Sequence, residues 1–382
     1  MKKLFTLLFS FTVCSALAQT STNQVVILNE GYYDWNTSTQ VVPVSIGAYN
    51  PATHQYSQFD VMPNASFASD VIVDGNFIYA ACSNGIYRYD KFTKNSAGFA
   101  AVTGVRKMAV WNNQLLVTRG DVGLTNNYFQ AYDKNNLTFI YQLDNVTGPQ
   151  FTAEGIVVSG DSAYIALNNA FNFPNYTGLI GVIHLPSQTY TREFSLGAIG
   201  INPDFMTSDN GKIITLNNRD YTNASVSIYD LNTATVSTTD LNVTGGCSSS
   251  QFANDAVYYQ VSGSNDLSRF DIQSQSTVAK LPVNQSIYGL SYDKVNGLMY
   301  AGNTDYFSYG KIYVFDLNAS VVDSFNVSVS PGSIAMDYNY ATGFQTLNST
   351  NQFVVYPNPT NGIITLNYTQ STSLIPNLLS LI

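Results

Sequence analysis

The feature that most constrains this chain is a repeat. An aromatic or apolar residue followed by a polar turn-starter recurs at the end of a strand-like run, as Tyr49-Asn50, Tyr89-Asp90, Tyr132-Asp133, Ile183-His184, Tyr229-Asp230, Phe270-Asp271 and Phe315-Asp316. The seven anchors are spaced by 40, 43, 51, 46, 41 and 45 residues, the length of one four-stranded propeller blade. An aspartate suits this position because its side chain accepts a bond from the backbone two residues on and opens an Asx turn. Each interval also holds a hairpin turn rich in Asn, Asp and Gly before an apolar strand. These are Asp74-Gly75-Asn76 before 77–81, Asn112-Asn113 before 115–118, and Gly160-Asp161-Ser162 before 163–167. The remaining three are Asp209-Asn210-Gly211 before 213–216, Asn254-Asp255 before 256–260, and Asn296-Gly297 before 298–301.

The first repeat lacks an innermost strand, because residues 25–28 already match the second strand of a blade. Residues 333–337 have the pattern of an inner strand, yet no further blade follows them. Ring closure accounts for both: 333–337 pair with 25–28 and complete the blade that the N-terminus begins, which leaves no sheet edge open. The expected fold is therefore all-β, a seven-bladed β-propeller closed between its N- and C-terminal strands, with a fragment of a C-terminal β-sandwich after it. A β-helix or two sandwiches would show shorter coils or no single period.

Charged residues are 11 % of the chain and the net charge is -9, so there is no electrostatic footprint for a phosphate backbone, and nucleic acid is excluded as a partner. Lys2 and Lys3, the apolar run 4–13 and Ala16-Leu17-Ala18 read as a secretory signal peptide, residues 1–18, cleaved after Ala18. Val13 and Thr12 are too bulky for Cys14 to serve as a lipoprotein anchor. Cys82 and Cys247 are too few for a disulfide framework and fall in different blades, so both are expected to be unpaired. The expected domains are 19–345 for the propeller and 346–382 for the C-terminal fragment, and the mature chain is placed outside the cell or on its outer surface.

The repeat units resemble YVTN-type and quinoprotein-like seven-bladed propellers, and Ile27-Leu28-Asn29-Glu30-Gly31 resembles the opening of a family of exported bacterial surface propellers. Phe353-Val354-Val355-Tyr356-Pro357-Asn358-Pro359-Thr360-Asn361-Gly362-Ile363-Ile364-Thr365-Leu366 resembles the start of the type IX secretion system C-terminal sorting domain. In the residues themselves this is a strand, a proline-fixed turn, an Asn-Gly turn and another strand. The resemblance implies Tyr356, Pro357, Asn358, Pro359, Asn361 and Gly362 as the sorting motif, the secretion machinery as a partner, and a sorting domain that is truncated here.

No catalytic set stands out. His54, in an outer turn, and His184, in place of an anchor Asp, read as structural. No zinc constellation, phosphate loop or Ser-His-Asp set can be assembled, and no cofactor or metal is expected. Carboxylates on loops that converge on a central channel remain the open route to catalysis. Loops between second and third strands share one face with those entering each inner strand, and that face collects Glu30, Tyr32, Trp35, Arg119, Asp121, Phe171, Phe173, Tyr176, Arg219, Asp220, Asp305 and Tyr306. Aromatics beside Arg and Asp suit a glycan or a polar organic ligand. Glu30, Tyr32, Trp35, Arg119, Phe171, Arg219, Asp220 and Tyr306 are the candidate contacts. The expected function is a binding module for a glycan, protein or small nutrient, with two alternatives: a secreted hydrolase or lyase using loop carboxylates, or a cobalamin-capturing surface protein.

Overall fold

The computed structural model describes residues 20–219, 222–244 and 250–340, and the backbone of 354–356 and 365–367. Every regular element among the described residues is a strand. Seven four-stranded antiparallel sheets form the propeller. Blades 2 to 7 each use consecutive strands and span 68–101, 105–143, 153–195, 203–240, 250–281 and 289–326. Blade 1 is assembled from both ends: its inner strand is Pro331–Asn339, followed outward by Ser21–Asn29, Val44–Asn50 and Gln55–Met62. Val25 lies opposite Met336, Val26 opposite Ala335, Ile27 opposite Ile334 and Leu28 opposite Ser333, which is the closure expected from the incomplete first repeat.

The second strands are continuous apolar runs because each is buried on both faces. Along Ser21–Asn29, Val25 and Ile27 pack with Tyr300, Ile312 and Val314 of blade 7. Val26 and Leu28 point the other way, onto Val71, Ile78 and Ala80 of blade 2. All four are fully buried, and each stabilises the fold by roughly 1.5–3 kcal/mol. Five further clusters repeat this arrangement at the other blade junctions, so the core is a ring of seven inter-blade layers.

The anchors do what the sequence asks of them. Asn50, Asp90, Asp133 and Asp230 each accept backbone N–H groups two and three residues on. Asp316 accepts from Asn318 and Ser320, and Asp271 from Ser274. At the fourth anchor His184 Nδ1 meets Ser187 Oγ at 2.7 Å instead. Three anchor aromatics also grip the preceding blade: Tyr49 stacks on Phe325, Tyr229 on Phe194, and Tyr89 meets Phe59 edge-on while donating to Asp60 at 2.7 Å.

The closing seam has its own polar clamp. Asp337, 2 % exposed, accepts from Asn23, Gln24 and Lys91, the last an ion pair at 2.8 Å. On the outer side of the seam His54 and Tyr49 of blade 1 both reach Asp323 of blade 7. Cys82 is a free, fully buried thiol, and Cys247 lies outside the described residues. Val354–Tyr356 and Thr365–Asn367 pair antiparallel, and the Pro and Asn-Gly segment between them lies outside the described residues.

Candidate functional site

The seven inner strands surround a central channel, and its entrance on the loop face is built by a repeated irregularity. In blades 1 to 5 one extra residue is inserted near the start of the inner strand, at Gly332, Ser69, Arg106/Lys107, Glu154/Gly155 and Asp204. Such bulges re-aim side chains out of the ladder. The result is a cavity of about 540 Å³ lined by Asp70, Arg106, Lys107, Glu154, Asp204, Gln251, Tyr288, Ser333 and Glu30. That volume falls within the usual range of small-molecule sites.

The charges divide unevenly. Arg106 makes a bidentate ion pair with Glu154, at 2.7 and 3.0 Å. Lys107 donates to Ser69 O at 2.8 Å and lies 3.9 Å from Asp70, whose other oxygen accepts from Met108 N. Blades 2 to 4 therefore satisfy their own charges. Asp204, among the described residues, accepts only from the neutral amide of Asn218 at 2.7 Å, and Glu30 accepts from the hydroxyl of Tyr288 at 2.6 Å. Gly332 makes room for the second contact, since a Cβ there would stand 2.5 Å from Glu30 Oε1 and 2.8 Å from the Tyr288 ring.

Burial pushes the Glu30 carboxyl up to about 7, against the opposing bond from Tyr288. Burial, and then the Glu154 charge, raises Asp204 to about 6. Burial also raises Asp70, with Lys107 acting against it. The Arg106 and Lys107 charges act against both rises without a direct ion pair to either carboxyl among the described residues, so Glu30 and Asp204 change protonation near neutrality, the state in which such a group can accept or donate a hydrogen bond. Among the described residues no three His, Cys, Asp or Glu side chains gather closely enough to hold a metal ion.

Aromatic rings stand around this mouth. The hairpin of Tyr32–Asp34 and Thr39–Val42, inserted in blade 1, faces a blade 7 loop across the closing seam. Tyr32 meets Phe307 edge-on at 5.2 Å, Tyr33 meets Trp35 at 4.6 Å, and Tyr306 meets Tyr288 at 5.1 Å. On the opposite side Phe171 lies over the Arg106 guanidinium, 5.4 Å from its centre. Gly120 permits this, because a Cβ there would come within 2.9 Å of the Phe171 ring.

Of the residues singled out in sequence, Glu30 lines the cavity, Phe171 and Tyr306 touch its lining residues Arg106 and Tyr288, Tyr32 meets the neighbouring Phe307, and Trp35 packs on Tyr33 in the inserted hairpin. Asp305 is spent holding its own loop, and Phe173 packs edge-on with Tyr176 within the 168–177 insertion. Arg119 is a different case: it is 7 % exposed, and its guanidinium donates to Thr103 O, Asn127 O and Thr103 Oγ1. Arg219 pairs with Asp240 at 2.9 Å, and Asp220 lies outside the described residues. Sequence reasoning did not single out Asp70, Arg106, Lys107, Glu154, Asp204 and Tyr288. A signal was available, since Asp70, Glu154 and Asp204 follow the anchors Tyr49, Tyr132 and Ile183 by 21, 22 and 21 residues, at one phase of the repeat.

No family model matches the sequence, and no curated protein matches it. Solved structures match the fold. A hypothetical selenium-binding protein from Sulfolobus tokodaii superposes with a TM-score of 0.63 at 8% identity, over 82% of this chain and 93% of that one. Hydrazine synthase from Kuenenia stuttgartiensis gives 0.56 at 14% identity, over 80% and 96%. BamB from Moraxella catarrhalis gives 0.50 at 11% identity, over 84% and 92%. At such identities the likeness is one of fold.

Proposed function

We propose that this chain is a secreted or cell-surface binding module that takes a polar organic ligand into the mouth of its central channel. The observation that carries the reading is the pair Glu30 and Asp204, two carboxyls that make no direct ion pair among the described residues, in a cavity of about 540 Å³ where Arg106 is paired with Glu154 and Lys107 lies beside Asp70. Desolvated carboxyls held by one neutral bond apiece retain acceptor capacity for hydroxyl or amine groups of a ligand. The propeller supplies a rigid frame, so little ordering accompanies binding. Export through a cleaved leader, and sorting by the type IX machinery through the Tyr356-Pro357-Asn358-Pro359 segment, belong to the same proposal. They are supported by the leader-like N-terminus and by the antiparallel pairing of 354–356 with 365–367.

A thermal-shift screen of the full chain against neutral sugars, organic amines and corrinoids tests this reading. A ligand that raises the melting temperature of the native chain, and does so much less for Glu30→Gln/Asp204→Asn, supports it. Undiminished binding to the double variant would move the site elsewhere. A second reading, a hydrolase or lyase, is favoured by the protonation of the same two carboxyls near neutrality, as general acid–base catalysis requires. Turnover of a bound ligand that stops in Glu30→Gln would establish it.

A further inference from the structure

The exposed rings at the junction of blades 7 and 1 are more than a lip. Trp35 is 69% exposed, Phe307 65% and Tyr309 77%, and unlike the scattered exposed rings of Phe92, Phe139 and Phe173 they come from two segments that meet at one seam. Both segments carrying them are fastened by their own side chains. Asp305 accepts from Phe307 N, Ser308 N and Ser308 Oγ, and Thr304 accepts from Tyr306 N. Tyr306 is held at φ 71, a backbone conformation that a bulky side chain rarely adopts and that such bonds maintain. In the hairpin, Asp34 accepts from Asn36 N and Thr37 Oγ1. The backbone of both turns is therefore held in place, and with it the points from which the rings project.

The chemistry around them is uncharged. Residues 31–42 and 303–310 contain no Lys or Arg, and their only ionised groups, Asp34 and Asp305, are engaged in these loop bonds. Exposed beside the rings are the amide of Asn36, the hydroxyls of Thr37, Ser38, Thr39 and Ser308, and the Val41 side chain; Thr37 and Ser308 donate within their loops and keep acceptor capacity. The Tyr288–Tyr306 contact joins this surface to the cavity, because Tyr288 is also the donor to Glu30. Protein-binding patches are enriched in arginine as well as aromatics, which these segments lack. Apolar ring faces next to neutral hydrogen-bonding groups match a pyranose, whose C–H face is apolar and whose rim is hydroxyl.

We infer that the surface formed by Trp35, Tyr306, Phe307 and Tyr309 stacks the rings of an uncharged oligosaccharide, one end of which enters the channel mouth beside Glu30. This rests on the channel being a ligand site and names the class of that ligand. Anionic glycans are disfavoured by the carboxylates at Glu30, Asp34 and Asp305 and by the net charge of -9.

The chain has only two tryptophans, and the other, Trp111, is partly buried in blade 3. A Trp111→Phe background makes Trp35 the sole reporter. The test is titration with hexaoses of glucose, xylose, mannose and galactose, and with sulfated and uronate oligosaccharides, read by Trp35 emission and by calorimetry. The expected result is saturable binding of at least one neutral hexaose with a change in Trp35 emission, and no binding of the anionic set. Calorimetry of Trp35→Ala and Phe307→Ala should show affinity weakened about tenfold or more, with melting temperatures unchanged because both rings are exposed.

Binding of anionic oligosaccharides alone, of none of the set, or of a neutral one indifferent to both substitutions overturns the inference. So does concentration-dependent self-association abolished by Trp35→Ala, which would make the surface an interface between copies. A non-saccharide ligand lost in Glu30→Gln/Asp204→Asn but kept in Trp35→Ala would sink the oligosaccharide and leave the channel reading standing.

Discussion

The two halves of the channel mouth treat charge in opposite ways, although Asp70, Glu154 and Asp204 share one repeat position and Glu30 comes from the end of a second strand. On blades 2 to 4 every ionised group has an ionised or backbone partner, with Glu154 gripped by Arg106 and Lys107 set between Ser69 and Asp70. On blades 5, 7 and 1 the carboxyls of Asp204 and Glu30 have one neutral partner each, Asn218 and Tyr288. A matched half adds rigidity and asks for nothing. An unmatched half carries an electrostatic penalty that a ligand can relieve, so under the proposed function the asymmetry separates the part of the mouth that supports the ring from the part that would recognise.

The largest effect should come from the matched half. Arg106→Met leaves Glu154, whose side chain is 5% exposed, without its counter-charge, and such a loss costs about 3–5 kcal/mol. Denaturant unfolding should show this directly. A drop no larger than that of a surface substitution would mean that water enters the pair freely and that the two halves do not differ.

The unmatched half should reveal itself through pH. Glu30 and Asp204 hold protons more tightly folded than unfolded, so stability is highest below their ordinary values of 4.5 and 3.8 and is lost as pH rises through about 6 to 7. Each could contribute up to about 3 kcal/mol, at 1.36 kcal/mol per pKa unit. The melting temperature should thus fall between pH 5 and pH 8, and Glu30→Gln/Asp204→Asn should flatten that slope and be the more stable protein at pH 8. A native chain whose melting is level across this window would remove the penalty on which the contrast rests. Below pH 4 the sign reverses, because the exposed anchors Asp90, Asp230, Asp271 and Asp316 are held below their ordinary values by turn hydrogen bonds that protonation breaks.

Arg119 sharpens the contrast from just outside the mouth. It is an arginine on the loop face, yet its three hydrogen bonds all close the blade 3 loops upon themselves. Arg119→Ala should therefore destabilise by about 1.5–3 kcal/mol and leave ligand affinity intact. Lost affinity at unchanged stability would return it to the site.

Arg119 also marks where sequence stops being legible. The blade count, the closing strands and the Asx anchors follow from period and turn chemistry, which are local, and Val25 to Leu28 meet the partners that an incomplete repeat demands. That Glu30, Tyr32, Phe171 and Tyr306 come from loops of one face is legible because topology alone determines where loops collect. Whether an arginine on that face points to solvent or to a carbonyl depends on the path of two loops, and no pattern encodes that. The channel carboxyls were hidden for another reason: a bulge shifts register by one residue, so alternation does not say which of Ala153, Glu154 and Gly155 faces the axis.

The smallest and most local effect concerns Tyr288. Its hydroxyl donates to Glu30 at 2.6 Å, a bond that favours the charged carboxylate and opposes the rise caused by burial. Tyr288→Phe removes the donor and keeps the ring that meets Tyr306. A hydrogen bond to a charged group contributes about 1.5–3 kcal/mol, and relaxation around the cavity reduces this, so the Glu30 carboxyl should rise by about one pKa unit. The midpoint of the pH-dependent loss of stability should move upward by the same amount, and only in chains that retain Glu30. Measuring the carboxyl resonance of Glu30 through a pH titration checks it directly. No movement in Tyr288→Phe, or an equal movement with Glu30→Gln already in place, would show that the phenol is not what keeps this carboxyl near neutrality, and that burial and the Arg106 and Lys107 charges set it without the phenol.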